Sequence, residues 1–249
     1  MKRLVLTLTP GRVDFARLDP FLRLAAELGV ELEALLIEDQ DLRTVAGLPF
    51  CHEVIRDSAR ARPLNQDSLE QATRELSRAL QQHLQRLTLR HPLQWQLRVH
   101  RGHWFDGFGE SWSQTELLLL SGPARAPAGA RNQTRAVALL CAGNSGSAAR
   151  ALQLAARLAA AQRQPLLVLA LPDCPYRRAA DLPPLPRSYQ GTGAQRIERL
   201  ANADPALLRG WLPGLADTLV VPQEWIWPDG RPANDPLLEL PGIQTLLVR

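Results

Sequence analysis

The chain has 249 residues, 45% of them hydrophobic, with 29 Lys and Arg against 25 Asp and Glu. That is enough apolar material for the core of one large domain or two small ones. The small cationic surplus is spread among acids, which argues against the clustered basic face of a nucleic-acid binder, and no apolar run is long enough to cross a bilayer.

Leu4 to Thr9 is a short apolar run closed by Pro10-Gly11, and it reads as a buried strand. Asp14 or Asp19-Pro20 opens a helix that stops at Gly29. Glu31 to Ile37 is a second strand. Residues 38–65 form a polar excursion with a short helix near Asp41–Ala46. Asp67 and Glu70 suit a capping box. Leu69, Ala72, Leu76, Leu80, Leu84 and Leu87 then recur at helical steps, making an amphipathic helix that Pro92 ends. Trp95, Leu97 and Val99 alternate as a third strand, 102–113 suits a short helix, and Glu116–Leu120 is a fourth strand. Residues 123–134, rich in Ala, Pro, Gly and Arg, read as a linker. Beyond it come a strand Ala136–Cys141, a turn at Gly143–Ser147, a helix Ala148–Ala161 and a strand Leu166–Leu171. A Pro-rich stretch, 172–189, stands where the first half has its long helix. A strand Gln195–Leu200, a helix opened by Asp204-Pro205, a strand Asp217–Val221, a helical turn at Pro236–Leu240 and a last strand Ile243–Val248 complete the series.

The second series repeats the first. Arg23-Leu-Ala-Ala through Asp39 lines up without a gap on Arg157-Leu-Ala-Ala through Asp173, so the chain starts over at about residue 134. A period that long signals duplicated domains rather than a solenoid. Strand–helix alternation with short apolar strands predicts α/β domains with doubly wound parallel sheets. The expected boundaries are 1–122, a linker at 123–134, and a second domain at 135–249. Ligands in such sheets bind beyond the carboxyl ends of the strands, so the loops after the first and fourth strands of each half are the places to look.

Three features carry a family resemblance: a first strand leading into the helix Ala149-Arg-Ala-Leu-Gln-Leu-Ala-Ala-Arg-Leu-Ala160, the sequence Val99-His-Arg-Gly-His ahead of Glu116-Leu-Leu-Leu-Leu-Ser-Gly122, and the closing Pro241-Gly-Ile-Gln-Thr-Leu-Leu-Val-Arg249. Together they resemble the tandem universal stress proteins. The resemblance implies two Rossmann-like domains and self-association through the last strand, hence a homodimer. It also implies, in nucleotide-binding members, an Asp after the first strand and a Gly-rich phosphate loop after the fourth. This chain departs from both. Its first-strand turns read Thr9-Pro10-Gly11-Arg12 and Ala142-Gly143-Asn144-Ser145. Its fourth-strand loops read Gly122-Pro-Ala-Arg125 and Val221-Pro-Gln-Glu-Trp225, the latter with no glycine and an acid that would repel phosphate.

Gly143, Asn144, Ser145, Gly146 and Ser147 are the candidate ligand site, since amides and hydroxyls at a helix N-terminus can hold an anion; an ordinary cap and tight turn is the bland reading. His100, His103 and Asp106 lack a third strong ligand at a metal-type spacing, so no metal is expected. Cys51-His52 has no orienting group for nucleophilic chemistry. Pro183-Pro-Leu-Pro reads as a loop in place of a deleted helix, and Trp225 and Trp227 fall on one face of an extended segment. The three cysteines are an odd number, which suits a reducing compartment better than a disulfide framework. The expected protein is cytoplasmic, with no catalytic residue and no cofactor. It is a stress-response-type binding or regulatory module with nucleotide binding reduced or absent and room for a small-molecule ligand. The alternative is a universal stress protein that binds ATP or AMP and hydrolyses it weakly.

Overall fold

The computed structural model describes residues 2–9, 13–55, 60–102, 114–121, 135–143, 145–186, 189, 195–202, 204–227, 240 and 242–249. The first series of elements is β1 (Arg3–Leu8), α1 (Phe15–Leu28), β2 (Glu31–Glu38), α2 (Gln40–Ala46), β3 (His52–Ile55), β4 (Arg60–Pro63), α3 (Gln66–Thr88), β5 (Trp95–Arg101) and β6 (Thr115–Ser121). The second is β7 (Ala136–Cys141), α4 (Gly146–Gln162), β8 (Leu166–Ala170), β9 (Gln195–Arg199), α5 (Pro205–Trp211), β10 (Ala216–Pro222), α6 (Gln223–Ile226) and β11 (Gln244–Val248). All but the first residue of the helix expected at 102–113, the linker 123–134 and most of the turn at 236–240 lie outside the described residues.

Local chemistry explains the boundaries. Asp14 caps α1 by accepting from the Ala16 amide at 3.1 Å. The repeat survives in the way α1 and α4 end. Gly29 takes φ +63°, and its equivalent Arg163 takes φ +53°. In both, the capping amide returns to the alanine carbonyl three residues back (Ala26, Ala160), and the next amide returns to the alanine before that (Ala25, Ala159). Glycine adopts this left-handed turn freely, whereas arginine does so against its Cβ. α3 is capped by Asn65, whose Oδ1 accepts from the Ser68 amide at 2.8 Å, not by the expected pair Asp67 and Glu70. The polar excursion contains an antiparallel hairpin, β3–β4.

The other nine strands form a single sheet in the order β5-β2-β1-β6-β11-β10-β7-β8-β9. Before the linker, β5, β2, β1 and β6 are mutually parallel. After it, β9, β8, β7, β10 and β11 are mutually parallel. The two blocks meet where β11 pairs antiparallel with β6, from Gln244 opposite Ser121 to Val248 opposite Leu117. Each half thus lays out its first four sheet strands in the same 3-2-1-4 order. Two separate sheets were expected; instead β11 lies between both blocks, bonded on each side, and is not a free edge available to a partner strand.

The fold is α/β and doubly wound. On one face α1, α3 and α4 cover a cluster running from Leu6 and Leu36 to Leu152 and Val168. On the other, α5, α6 and Leu240 cover a cluster from Val5 and Leu118 to Val221 and Leu247. Both clusters draw on both halves. Polar ties cross the junction as well. Arg17 on α1 donates to the Gly242 carbonyl at 2.7 Å and the Asp217 carbonyl at 3.3 Å. Arg150 on α4 pairs with Glu116 on β6, which also holds Lys2 at 2.9 Å. Among the described residues no helix is long and apolar enough to cross a membrane.

Candidate functional site

β7 and β10 are neighbours in the sheet, so the loops at their carboxyl ends lie side by side. β7 leaves through Ala142 and Gly143, whose φ of +58° is the left-handed turn that glycine permits. A side chain there would meet only the Asp173 carboxylate, at 3.7 Å, so the backbone angle rather than space calls for glycine. Ser145 then caps α4, its Oγ accepting from the Ala148 amide at 3.1 Å. Ser147 Oγ lies 3.0 Å from Ser145 Oγ. Asn144 lies outside the described residues. An added Cβ at Gly146 would meet nothing within 4 Å, so packing makes no demand for glycine at that position.

The group these hydroxyls address belongs to the chain itself. Glu224, in the first turn after β10, accepts hydrogen bonds from both Ser145 Oγ and Ser147 Oγ through Oε1. Its carboxylate therefore sits at the positive end of the seventeen-residue helix α4. Burial pushes its pKa up. The hydrogen bonds from Ser145, Ser147 and its own backbone amide outweigh that and hold it below the ordinary carboxylate range. The loops after the first and fourth strands of the second half do meet, but a carboxylate occupies the meeting point. An acid in the fourth-strand loop facing a Ser-x-Ser helix start was the only hint in the sequence, and the two are 79 residues apart.

The other candidates fare differently. His100 Nε2 is buried without a hydrogen-bond partner among the described residues, and a Cβ added at Gly102 would lie 3.1 Å from it; His103 and Asp106 lie outside the described residues. Among the described residues no group of three His, Cys, Asp or Glu side chains could hold a metal. His52 Nδ1 lies 3.1 Å from the Phe50 carbonyl, and among the described residues no hydrogen bond joins its ring to Cys51. The Pro-rich stretch packs Leu182 and Leu185 on the core, and the Pro184 carbonyl accepts from Gln153. Trp225 and Trp227 do not share a face. The segment is one helical turn, so Trp225 is partly exposed and Trp227 is buried. A groove of about 510 Å³ lies between α1 and α4 and includes the repeat-equivalent Arg23 and Arg157; no residue of the Ser145 turn lines it.

No family model matches the chain, and no curated protein matches it in sequence. Among solved structures, a universal stress protein from Archaeoglobus fulgidus aligns over 98% of this chain and 96% of its own length, at 11% identity and a TM-score of 0.43. A functionally unknown protein from Pseudomonas aeruginosa aligns over 99% and 92%, at 11% identity and a TM-score of 0.43. A putative universal stress protein from the same species aligns over 99% and 92%, at 13% identity and a TM-score of 0.42.

Proposed function

We propose that the protein is a non-enzymatic, universal-stress-protein-like binding or regulatory module of the stress-response type, in which nucleotide binding is reduced or absent. The observation that carries this reading is Glu224 on Ser145 and Ser147. A phosphate approaching the start of α4 would meet a negative charge already bonded there. Each unit of phosphate charge within about 4 Å of that carboxylate costs about 1 to 4 kcal/mol, roughly five- to thousandfold in affinity. The reading takes residues 1–122 and 135–249 as two such domains, the second shortened, joined by 123–134 and packed as a pseudo-dimer in the cytoplasm. A homodimer belongs to the same reading. With β11 paired on both sides, its contact falls on the outer strands β5 and β9 or on a helical face.

Calorimetry with magnesium and ATP at neutral pH tests the reading. No binding is expected with ligand up to about 1 mM, and a micromolar Kd would overturn it. The alternative, an ATP- or AMP-binding protein with weak hydrolysis, draws on the same Ser145 and Ser147 hydroxyls once Glu224 is displaced. Glu224→Gln separates the two: gain of binding in the variant alone fits the proposal, whereas equal micromolar binding in both proteins fits the alternative.

A further inference from the structure

Two thiols that the proposed function does not use lie together at the carboxyl edge of the sheet. Cys141 is the last residue of β7 and is buried in the core. Cys174 follows β8, is half-buried, and places its Sγ 2.9 Å from Cys141 Sγ. Both are free thiols. Cys174, and not Cys141, opens onto a cavity of about 250 Å³ that Tyr176, Arg177 and Arg199 also line. Neither Arg177 nor Arg199 is in an ion pair among the described residues. The pair therefore has an outer thiol at a cationic cavity and an inner thiol directly behind it.

We propose that Cys174 and Cys141 form a dithiol site that a small anionic disulfide oxidises to an intramolecular disulfide. Cys174 gives up its proton to water, and the thiolate attacks one sulfur of the small disulfide. A mixed disulfide forms, the small S–S bond breaks, and one thiolate leaves. Cys141 Sγ then gives up its proton to water and attacks Cys174 Sγ. The protein S–S bond forms, the mixed disulfide breaks, and the second small thiolate leaves. The protein loses two electrons and two protons, and the small disulfide becomes two thiols. Exposure decides the order, because the entering sulfur reaches Cys174 first. Burial, and then the neighbouring Cys174 and Asp173, push the Cys141 thiol above its ordinary range, so it is a poor first nucleophile. Its contact with Cys174 makes up for that once the mixed disulfide exists. Arg177 and Arg199 supply the charge that selects an anion; the opposing carboxylates nearby are the exposed Asp173 and Asp181, whose Oδ2 accepts from the Arg177 amide at 3.1 Å.

The test treats the full chain with glutathione disulfide, which is a net anion, and with neutral hydroxyethyl disulfide. Intact mass should fall by two hydrogens, peptide mapping should join Cys141 to Cys174, and Cys51 should stay open to alkylation. Cys141→Ser should instead accumulate a glutathione adduct on Cys174. Absence of the Cys141–Cys174 bond in the wild type, or a wild type that carries adducts on Cys51 alone, would overturn the site. At low salt glutathione disulfide should react roughly tenfold faster than the neutral reagent. Arg177→Ala/Arg199→Ala, at two exposed positions, should remove that preference. Equal rates for the two reagents in the wild type would refute the anionic substrate class.

Discussion

Replacing Leu246 with Ala tests whether the two halves share one cooperative core. Leu246 is fully buried in β11, opposite Val220 on β10 and Leu119 on β6, both also fully buried. Losing three carbons' worth of buried side chain costs about 2.4 kcal/mol at about 0.8 kcal/mol each. Backbone bonds pin the strand on both sides, so the site collapses little. A residual cavity of roughly 60 Å³, at about 24 cal/mol per Å³, adds about 1.4 kcal/mol. The expected loss is about 4 kcal/mol, near the upper part of the range for buried Leu→Ala changes. Urea unfolding followed by tryptophan fluorescence reads it, because the six tryptophans fall three in each half, so the signal covers both. Val99→Ala on the half-exposed edge strand β5 is the control and should cost under about 0.5 kcal/mol. The fluorescence and far-UV circular dichroism transitions should coincide, with one midpoint lowered by the variant. Two separate transitions in the wild type, or a loss below about 1 kcal/mol, would refute a core shared through β11.

Arg163→Gly should raise stability by about 0.5–1 kcal/mol in thermal unfolding, because it removes the Cβ from a left-handed cap that Gly29 already fills with glycine. Ser145→Ala should cost about 1 kcal/mol through loss of the α4 cap, measured by the same unfolding assay. Burial raises the Glu116 pKa, but the hydrogen bonds and charges of Lys2 and Arg150 outweigh it and leave the folded value lowered. Its contribution is therefore fully present above about pH 4.3 and is lost as pH falls through the lowered folded value. Glu116→Gln should cost about 1 kcal/mol at neutral pH. That difference from wild type should shrink in acid, and a gap that widens there would contradict the assignment.

The strands were legible where burial on both faces forces an unbroken apolar run, as in Leu4–Leu6, Val137–Leu140 and Leu219–Val221. α3 was legible from its spacing, since Leu76, Leu80, Leu84 and Leu87 all reach the core. The β3–β4 hairpin was not, because nothing alternates in Glu53 to Arg62 except charge, and those two residues are themselves an ion pair. The Trp225–Trp227 reading failed because a spacing of two shares a face only in a strand, and the backbone there turns helical. Strand order was the larger gap. The apolar pattern of Ile243–Val248 says that the segment is buried on both faces but not between which neighbours. Of the candidate site, the Gly143–Ser147 turn was visible as a strand-to-helix junction. Its occupant, Glu224, was not, because the contact depends on β7 and β10 being adjacent.

The place of β11 between β10 and β6 also sets a timetable for synthesis. Gln244 joins Ser121 across 123 residues of sequence. A ribosome adding about 5–20 residues per second takes on the order of ten seconds to cover that distance. Throughout that interval β6 has emerged with its outer side unpaired, an apolar strand of the kind that recruits other strands. The nascent chain is therefore most vulnerable to aggregation while its second half is being made. A transient helper that shields the β6 edge should improve yield more than any change that stabilises the finished fold.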